Sequence, residues 1–206
     1  MNKTLLSGVI LFFAGALIWM LFFWQPSGAP KKSETMPGLA IAEAPKGGDF
    51  ILNAYQGAVD LKSLRGQVVV IYFGYTWCPD ICPTSLGFLS AALDELSEEE
   101  LQLVQGIFIS VDPERDSLEH LKSYGEYFHS KIWGVTGSHE QLRRVADQYG
   151  AAYRLVKDEA ATDYVVDHSA DLYIVDKQGK LSNIVRHGTP PSEILALLRG
   201  LINLKN

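Results

Sequence analysis

The amino-acid sequence predicts an α/β domain, in which helices flank a mostly central sheet, preceded by an N-terminal transmembrane helix. Three observations support this fold class. The chain begins with a long uncharged apolar run. After it, short apolar runs rich in β-branched residues alternate with segments whose leucines recur at helical spacing. Near the end of the 206 residues, two strand-like segments joined by a turn precede a last helix.

The N-terminal apolar run, from Leu5 to Trp24, contains no charged residue. A helix of about 20 residues rising ~1.5 Å per residue is roughly 30 Å long, which matches the hydrocarbon core of a bilayer. A cleaved signal peptide usually has an apolar region of only ~7–15 residues, followed by a small-residue cleavage site. Ser27 and Ala29 resemble such a site, but Pro30 follows directly. We therefore expect residues 1–24 to form an uncleaved membrane anchor.

The flanks of the anchor indicate its orientation. Lysines lie on both sides of the apolar run, and we see no later segment that would return the chain across the membrane, so we expect a cytoplasmic N-terminus. The N-terminus is not rich in Arg and Ser, unlike a mitochondrial transit peptide. The sequence therefore predicts a single-pass protein of the bacterial inner membrane whose folded part faces the periplasm.

Residues 25–48 are rich in Pro, Gly, Ala and Lys and have no sustained period, which is typical of a flexible linker. We expect the folded domain at 49–206. The whole chain is 47% hydrophobic and 20% charged, with a net charge of −6, which is typical of a globular and not a disordered protein. Because it has no basic run or basic-aromatic patch, we expect no nucleic-acid partner.

The first half of the domain contains two apolar runs that are continuous and not alternating, as in strands buried on both faces. The predicted elements, in chain order, are a hairpin at 50–61, a buried strand at 68–73, a helix carrying Leu86 to Leu96, a buried strand at 104–111 and an amphipathic helix carrying Leu118 to Tyr124.

The second half begins with a short strand in WGVTG. Ser138 with Gln141 predicts a capping box for a helix that ends before Gly150. Residues 171–187 predict two strands joined by a turn at Gln178–Gly179. The pair Pro190 and Pro191 then predicts the start of the final helix.

Cys78 and Cys82 are the only cysteines in the chain, and they lie between a predicted strand and a predicted helix. The positive end of a helix dipole lowers the pKa of a thiol placed there. Residues four apart lie on one helical face, so both sulfurs can reach one point and form a disulfide or bind a soft cation together. An inert structural disulfide is a weaker interpretation, because it would close too short a loop to constrain much chain.

A third ligand must be sought among five histidines. His168 directly precedes a buried strand, in a loop where functional residues often occur, and Asp167 beside it can orient or tune the imidazole. From the residues alone, His168 remains open between a metal ligand and an ordinary loop histidine. Three other histidines, His120, His129 and His139, are interpreted as solvated surface residues, and His187 is interpreted as a structural residue.

Three blocks of the sequence resemble the Sco (SenC) family of copper-binding assembly factors for cytochrome c oxidase. They are YFGYTWCPDICP (72–83), FISVDPERDS (108–117) and DYVVDHSADLYIVD (163–176). The resemblance implies a thioredoxin-like fold and a copper site formed by Cys78, Cys82 and His168, with Asp167 as a neighbour that tunes it. One position departs from the family, because many members have His or another polar residue where this chain has Trp77.

The resemblance also implies a function. It suggests a metallochaperone, and not an enzyme, that holds Cu(I), and Cu(II) in a different geometry, with two thiolates and one imidazole. Its target would be the two-copper centre of cytochrome c oxidase subunit II. Copper would come from a periplasmic donor. Cys78 and Cys82 would also form a redox-active disulfide, which a thiol reductase opens before copper binds.

There are three alternatives to copper delivery: a thiol-disulfide reductase, a peroxidase and a zinc site. A thiol-disulfide reductase of the thioredoxin type usually has C-x-x-C and a cis-proline, whereas this chain has one more spacer residue and His168 without a proline. A peroxiredoxin would need Pro at position 71 and Thr at 75, where this chain has Ile71 and Tyr75. Zinc also accepts Cys and His ligands.

The segment SVDPERD is interpreted as a turn and a helix cap without a metal ligand.

Overall fold

The computed structural model describes residues 13, 15–17, 19, 20, 45–157 and 164–204. The few described residues of the N-terminal segment are helical and exposed. Most of the predicted anchor (1–24) and linker (25–48) lies outside the described residues. Within the part of the chain that is described, no helix is long and apolar enough to cross a membrane.

The described elements comprise nine strands, five α-helices and one 3-10 helix. In chain order they are β1 (Ile51–Ala54), β2 (Gly57–Asp60), the 3-10 helix (Leu61–Leu64), β3 (Val68–Gly74), α1 (Ile81–Asp94), α2 (Glu98–Gln102), β4 (Val104–Ser110), α3 (Leu118–Phe128), β5 (Ile132–Thr136), α4 (His139–Tyr149), β6 (Tyr153–Lys157), β7 (Tyr164–His168), β8 (Leu172–Val175), β9 (Leu181–Val185) and α5 (Pro191–Asn203).

Seven strands form one mixed sheet in the order β2-β1-β5-β4-β3-β8-β9. The central strands β3, β4 and β5 are parallel, and the neighbours on both sides are antiparallel. Every residue of β3 and of β4 is buried, as the two continuous apolar runs predict. The central mixed sheet flanked by helices, predicted from the alternation of apolar runs, is therefore confirmed.

Each face of the sheet has its own apolar core, because side chains alternate along a strand. Val68, Val70 and Tyr72 of β3 contact a core that α1, α3 and α5 complete. Ile71 and Phe73 contact the opposite core, which is covered by α4 and by residues of β6 and β7. The carboxyl end of β3 thus emerges between two packed layers, where the cysteine loop begins.

The helix boundaries follow the capping signals of the sequence. Ser138 and Gln141 form the predicted capping box of α4, and that helix ends at Gly150, whose φ of 68° suits glycine. Pro191 is the first residue of α5, as predicted. The helix α2 was not predicted, although Ser97 and Glu100 form a second capping box there.

The main difference from the sequence prediction lies around His168, which was placed in a loop. It is the last residue of β7, and among the described strands β7 pairs with β6 alone, in a two-stranded sheet apart from the larger one. Tyr153 and Val166 of this ribbon are buried, while Arg154 and Val165 on its other face are exposed, so one face packs on the core. The alternation of buried and exposed residues along β6 and β7 is short and interrupted by charged residues, so the sequence does not reveal these strands.

Candidate metal centre

Cys78 and Cys82 lie where β3 passes into α1. The backbone N–H of Cys78 donates to the carbonyl of Tyr75 at 3.2 Å, which closes a tight turn after the strand. Cys82 belongs to the first turn of α1, and its backbone N–H lies 3.4 Å from Sγ of Cys78. A backbone N–H of the first helical turn, which has no partner within the helix, therefore donates to the Cys78 sulfur. This agrees with the predicted position of Cys78 directly before a helix.

The sulfur of Cys82 is packed against the end of β3. This side chain is completely buried. Gly74, the last residue of β3, provides the space, because a Cβ at that position would lie 2.6 Å from Sγ of Cys82 and 2.9 Å from the ring of Phe108. A glycine is therefore required here for close approach, not for its backbone conformation.

His168 approaches the two sulfurs from β7. Its Nε2 lies 3.3 Å from Sγ of Cys82, and the ligand atoms of Cys78, Cys82 and His168 all lie within 4.8 Å of one another. Among the described residues, this is the only such group of three or more His, Cys, Asp or Glu side chains. The structure thus brings together the three residues that the resemblance implies.

The imidazole of His168 has a defined orientation. Its Nδ1 lies 3.0 Å from the carbonyl of Ser169, so Nδ1 carries the proton and donates this hydrogen bond. Nε2, which faces the sulfurs, therefore keeps a free lone pair that can bind a metal ion. The rings of Tyr72 and Tyr75 meet the imidazole edge-to-face, with centroid distances of 6.1 and 5.7 Å. The hydrogen bond to Ser169 therefore selects the tautomer that a metal requires, and the two rings restrict the orientation of the imidazole.

The two thiols differ strongly in acidity. The hydrogen bond from Cys82 is the main cause that lowers the pKa of Cys78 to about 3, against the opposing effect of partial burial. Burial is the main cause that raises the pKa of Cys82, and its hydrogen bond to Cys78 adds to this. Burial opposes the charged form of His168, but bonding to the Cys78 thiolate and to Ser169 outweighs it, so the pKa is raised. The site therefore holds one thiolate beside one thiol.

Asp167 does not contact the imidazole. Its carboxylate accepts from Nε and Nη2 of Arg154, at 2.9 and 2.8 Å, across the register pair of β6 and β7. The carbonyl of Ser169, instead of this carboxylate, is the partner of Nδ1 of His168. The expected tuning by Asp167 thus has no direct contact to act through.

The segment interpreted as a turn and helix cap contains a further contact of the site. Ser117, directly after this segment, caps α3 through its side chain. Asp116 is buried and accepts from both the backbone N–H and the hydroxyl of Thr76, which lies two residues before Cys78. Sequence reasoning missed this bond, because no spacing rule joins polar residues forty positions apart.

The remaining histidines do not reach the sulfurs. His129 bonds the backbone N–H of Lys131 through Nδ1, and burial lowers its pKa. His139 pairs with Glu114 at the surface, and His187 bonds the hydroxyl of Ser85. The exposed positions of His120 and His139 agree with the surface role predicted for them, whereas His129, also predicted at the surface, has a side chain that is only 11% exposed.

The site is open to solvent on one side. A cavity of about 420 Å³ is bordered by Cys78, Pro79, Ile81, Val165 and His168, among others. The neighbouring Trp77, at the position that departs from the family, is 62% exposed. Two sulfurs and one imidazole nitrogen around one point suit a soft or borderline cation, and Cu(I) and Zn²⁺ both accept this donor set.

Comparisons with known proteins identify the family of this chain. The SCO1/SenC family model matches residues 40–203. An SCO2-like protein of Rickettsia felis is 36% identical over 156 residues, which are 75% of this chain and 76% of that protein. The mitochondrial SCO2 homolog of Mus musculus is 37% identical over 171 residues, 82% of this chain and 66% of that protein.

Solved structures show the same fold. ScoI of Bradyrhizobium japonicum with copper bound matches with a TM-score of 0.68 at 36% identity, covering 75% of this chain and 98% of that one. Copper-bound ScoI of Arabidopsis thaliana matches equally well, with a TM-score of 0.68, 36% identity and coverages of 74% and 96%. The thioredoxin-like fold that the resemblance implied is therefore confirmed, and the chain belongs to the SCO1/SenC family.

Proposed function

We propose that this protein is a membrane-tethered copper metallochaperone that binds copper through Cys78, Cys82 and His168 and delivers it to the binuclear copper centre of cytochrome c oxidase subunit II. The observation that carries the proposal is the convergence of these ligand atoms within 4.8 Å of one another. Copper-bound structures of two relatives at 36% identity support the choice of metal.

The three side chains have complementary roles in this proposal. Cys78 is half-buried and already a thiolate, so it is the residue that first meets an incoming ion. Cys82 is buried and protonated, and it gives up its proton when the ion displaces it. His168 presents Nε2, since its Nδ1 is bound to Ser169. In this proposal copper is the ion that the protein delivers, and it takes part in no reaction catalysed by the chain.

Release is favoured by the open side of the site. The cavity beside Cys78 admits the ligands of a donor or a target, which can replace the three protein ligands one at a time. The exposed Ile81 borders this opening, and the exposed Trp77 directly precedes Cys78, so both are available for contact with a partner. A periplasmic copper donor would load the site by the same exchange in reverse.

The cellular setting is proposed from the sequence. Residues 1–24 would anchor the protein in the bacterial inner membrane with the domain in the periplasm. An anchor confines the protein to the membrane that holds the oxidase and raises the effective concentration of the pair. Because the periplasm is oxidising, a thiol reductase would keep Cys78 and Cys82 available as a dithiol.

Anaerobic copper titration of the reduced full-length chain tests the proposal. The wild type should bind one Cu(I) per chain, measured by competition with a chromophoric chelator. Cys78→Ser, Cys82→Ser and His168→Ala should each lower the affinity by at least about a hundredfold. Loss of a residue that only orients a metal ligand already costs about 10–100-fold, so loss of a ligand should cost more. The largest losses are expected for the thiolates, because Cu(I) prefers soft ligands.

His139→Ala is the matched control for His168→Ala. His139 is exposed and pairs only with Glu114, so its removal should leave the Cu(I) affinity unchanged. Affinity that survives all three ligand substitutions would disprove the assigned site. A site that prefers Zn²⁺ over Cu(I) under the same conditions would move the proposal to a different metal.

A second candidate function is thiol-disulfide reduction. It is favoured by the pairing of a half-exposed sulfur, Cys78, with a buried one, Cys82, neither of which is in a disulfide. The Cys78 thiolate would attack a target disulfide, and Cys82 would then displace the reduced target and leave a Cys78–Cys82 disulfide. Two electrons from a thiol reductase would restore the dithiol. Efficient reduction of insulin, together with weak copper binding, would favour this function over the first.

A further inference from the structure

The buried carboxylate of Asp116 fixes the loop that carries Cys78. This side chain is 1% exposed. Its two oxygens accept from the backbone N–H of Thr76 at 3.0 Å and from its hydroxyl at 2.6 Å, and also from the hydroxyl of Ser110 at 2.6 Å. Ser110 is the last residue of β4. The cysteine loop is therefore bonded to the end of the neighbouring strand.

A second buried carboxylate, that of Asp112, contacts the strand that carries His168. It is also 1% exposed. It accepts from the hydroxyl of Tyr164 at 2.6 Å and from Nε of Arg115. Nη1 of Arg115 donates to the carbonyl of Tyr164 at 2.9 Å, and its guanidinium lies 3.8 Å from the centre of the Tyr164 ring. Three contacts thus hold the first residue of the strand that ends at His168.

The two carboxylates belong to one turn of the chain, since the backbone N–H of Asp116 donates to the carbonyl of Asp112 at 3.0 Å. A single short segment therefore contacts both the cysteine loop and the histidine strand. Burial, and then the bond to Asp112, raises the pKa of Tyr164 to about 12. The hydroxyl consequently remains a donor throughout the physiological pH range.

The ribbon of β6 and β7 needs such contacts. Among the described strands, neither β6 nor β7 pairs with the seven-stranded sheet, so no ladder of backbone hydrogen bonds fixes the ribbon there. A two-stranded ribbon is only marginally stable by itself. Its position relative to the sulfurs depends on side-chain packing and on the few polar contacts at its ends.

We propose that Asp112, Arg115 and Tyr164 are positioning residues that hold β7 against the cysteine loop and so keep His168 within reach of the two sulfurs. None of the three is proposed to touch the metal. The inference rests on the proposed function, in which His168 is a copper ligand. It assigns a purpose to the buried carboxylate of Asp112, which the copper site itself does not use.

Tyr164→Phe in the full-length reduced chain tests this inference, because it removes the hydroxyl and keeps the ring against Arg115. We expect the Cu(I) affinity to fall about tenfold, the lower range for groups that orient a metal ligand. In the Cu(II) form, the nitrogen hyperfine coupling of the imidazole should weaken. Tyr153→Phe is the matched control on the same ribbon, since none of the described hydrogen bonds involves its hydroxyl.

The decisive comparison is a double-mutant cycle with His168→Ala. If Tyr164 acts through His168, Tyr164→Phe should change the affinity less than about twofold once the imidazole is gone. An equal tenfold loss with and without His168 would show a general effect on the fold and would overturn the inference, as would an unchanged affinity of Tyr164→Phe alone. If His168→Ala itself leaves the wild-type affinity intact, the three-ligand proposal has failed instead.

Discussion

The two sulfurs of the metal centre and its imidazole are carried by regions that are built differently. The sulfurs lie at the end of β3, a strand paired on both sides and buried along its whole length. The imidazole lies at the end of β7, which pairs on one side only and leaves Val165 exposed. The comparison teaches that one half of the site is part of the core while the other half is placed by a few contacts.

This difference suits the proposed handling of copper. A rigid sulfur pair retains the ion, since Cys82 is enclosed and Cys78 is held by the amide of the helix start. A ligand on a less constrained ribbon can leave first and open a coordination position for a partner. The order of ligand exchange would then follow from the architecture, with His168 released before the two thiolates.

Hydrogen exchange should show the largest contrast between the two regions. Amides in the middle of β3 and β4 open only with global unfolding, whereas those of β6 and β7 open locally. We expect protection to differ by at least about a hundredfold in the metal-free protein. Adding Cu(I) should slow exchange in the ribbon and also in the central strands, because an ion that binds only the folded protein raises the free energy of global unfolding. Equal protection in the metal-free protein would contradict the comparison.

Gly74→Ala tests the rigid half. The added Cβ would lie 2.6 Å from Sγ of Cys82, so the sulfur or the strand must shift. We expect the free energy of unfolding to fall by about 1–3 kcal/mol, as for an overpacked core, with a weaker Cu(I) affinity. Urea unfolding and chelator competition measure the two effects.

Gly87→Ala is the control for that substitution. Gly87 lies in α1, and an added Cβ meets open space there. Alanine should stabilise the helix by about 0.5–1 kcal/mol and leave copper binding unchanged. A Gly74→Ala variant as stable as this control would show that the sulfur is not confined by the strand.

The same contrast explains what the sequence could predict. The central strands were found because continuous apolar runs such as 68–73 are strong signals, and α4 was found through its capping box. The cysteine pair was found because its two residues are close in sequence, although Cys78 lies in a turn before the helix that carries Cys82. Local patterns therefore predict the rigid half well.

The other half depends on contacts between distant positions. His168 lies 86 residues after Cys82, so only the family resemblance placed it at the sulfurs. The bond from Thr76 to Asp116 spans forty positions and joins residue types that are common in turns. The assignment of Asp167 as a tuning neighbour used adjacency in sequence, but adjacent residues of a strand point to opposite faces. Its carboxylate accordingly faces Arg154.

Asp167→Asn should have the smallest effect. The carboxylate pairs with Arg154 on an exposed surface, where ion pairs contribute roughly 0–1 kcal/mol and are screened by salt. We expect a loss of unfolding free energy below about 1 kcal/mol that disappears in high salt, and a Cu(I) affinity within about threefold of the wild type. Glu126→Gln, which breaks the exposed pair with Lys122, is the matched control. A salt-independent tenfold loss of affinity would show that Asp167 acts on His168 after all, and that the ribbon transmits charge to the site as well as holding the imidazole.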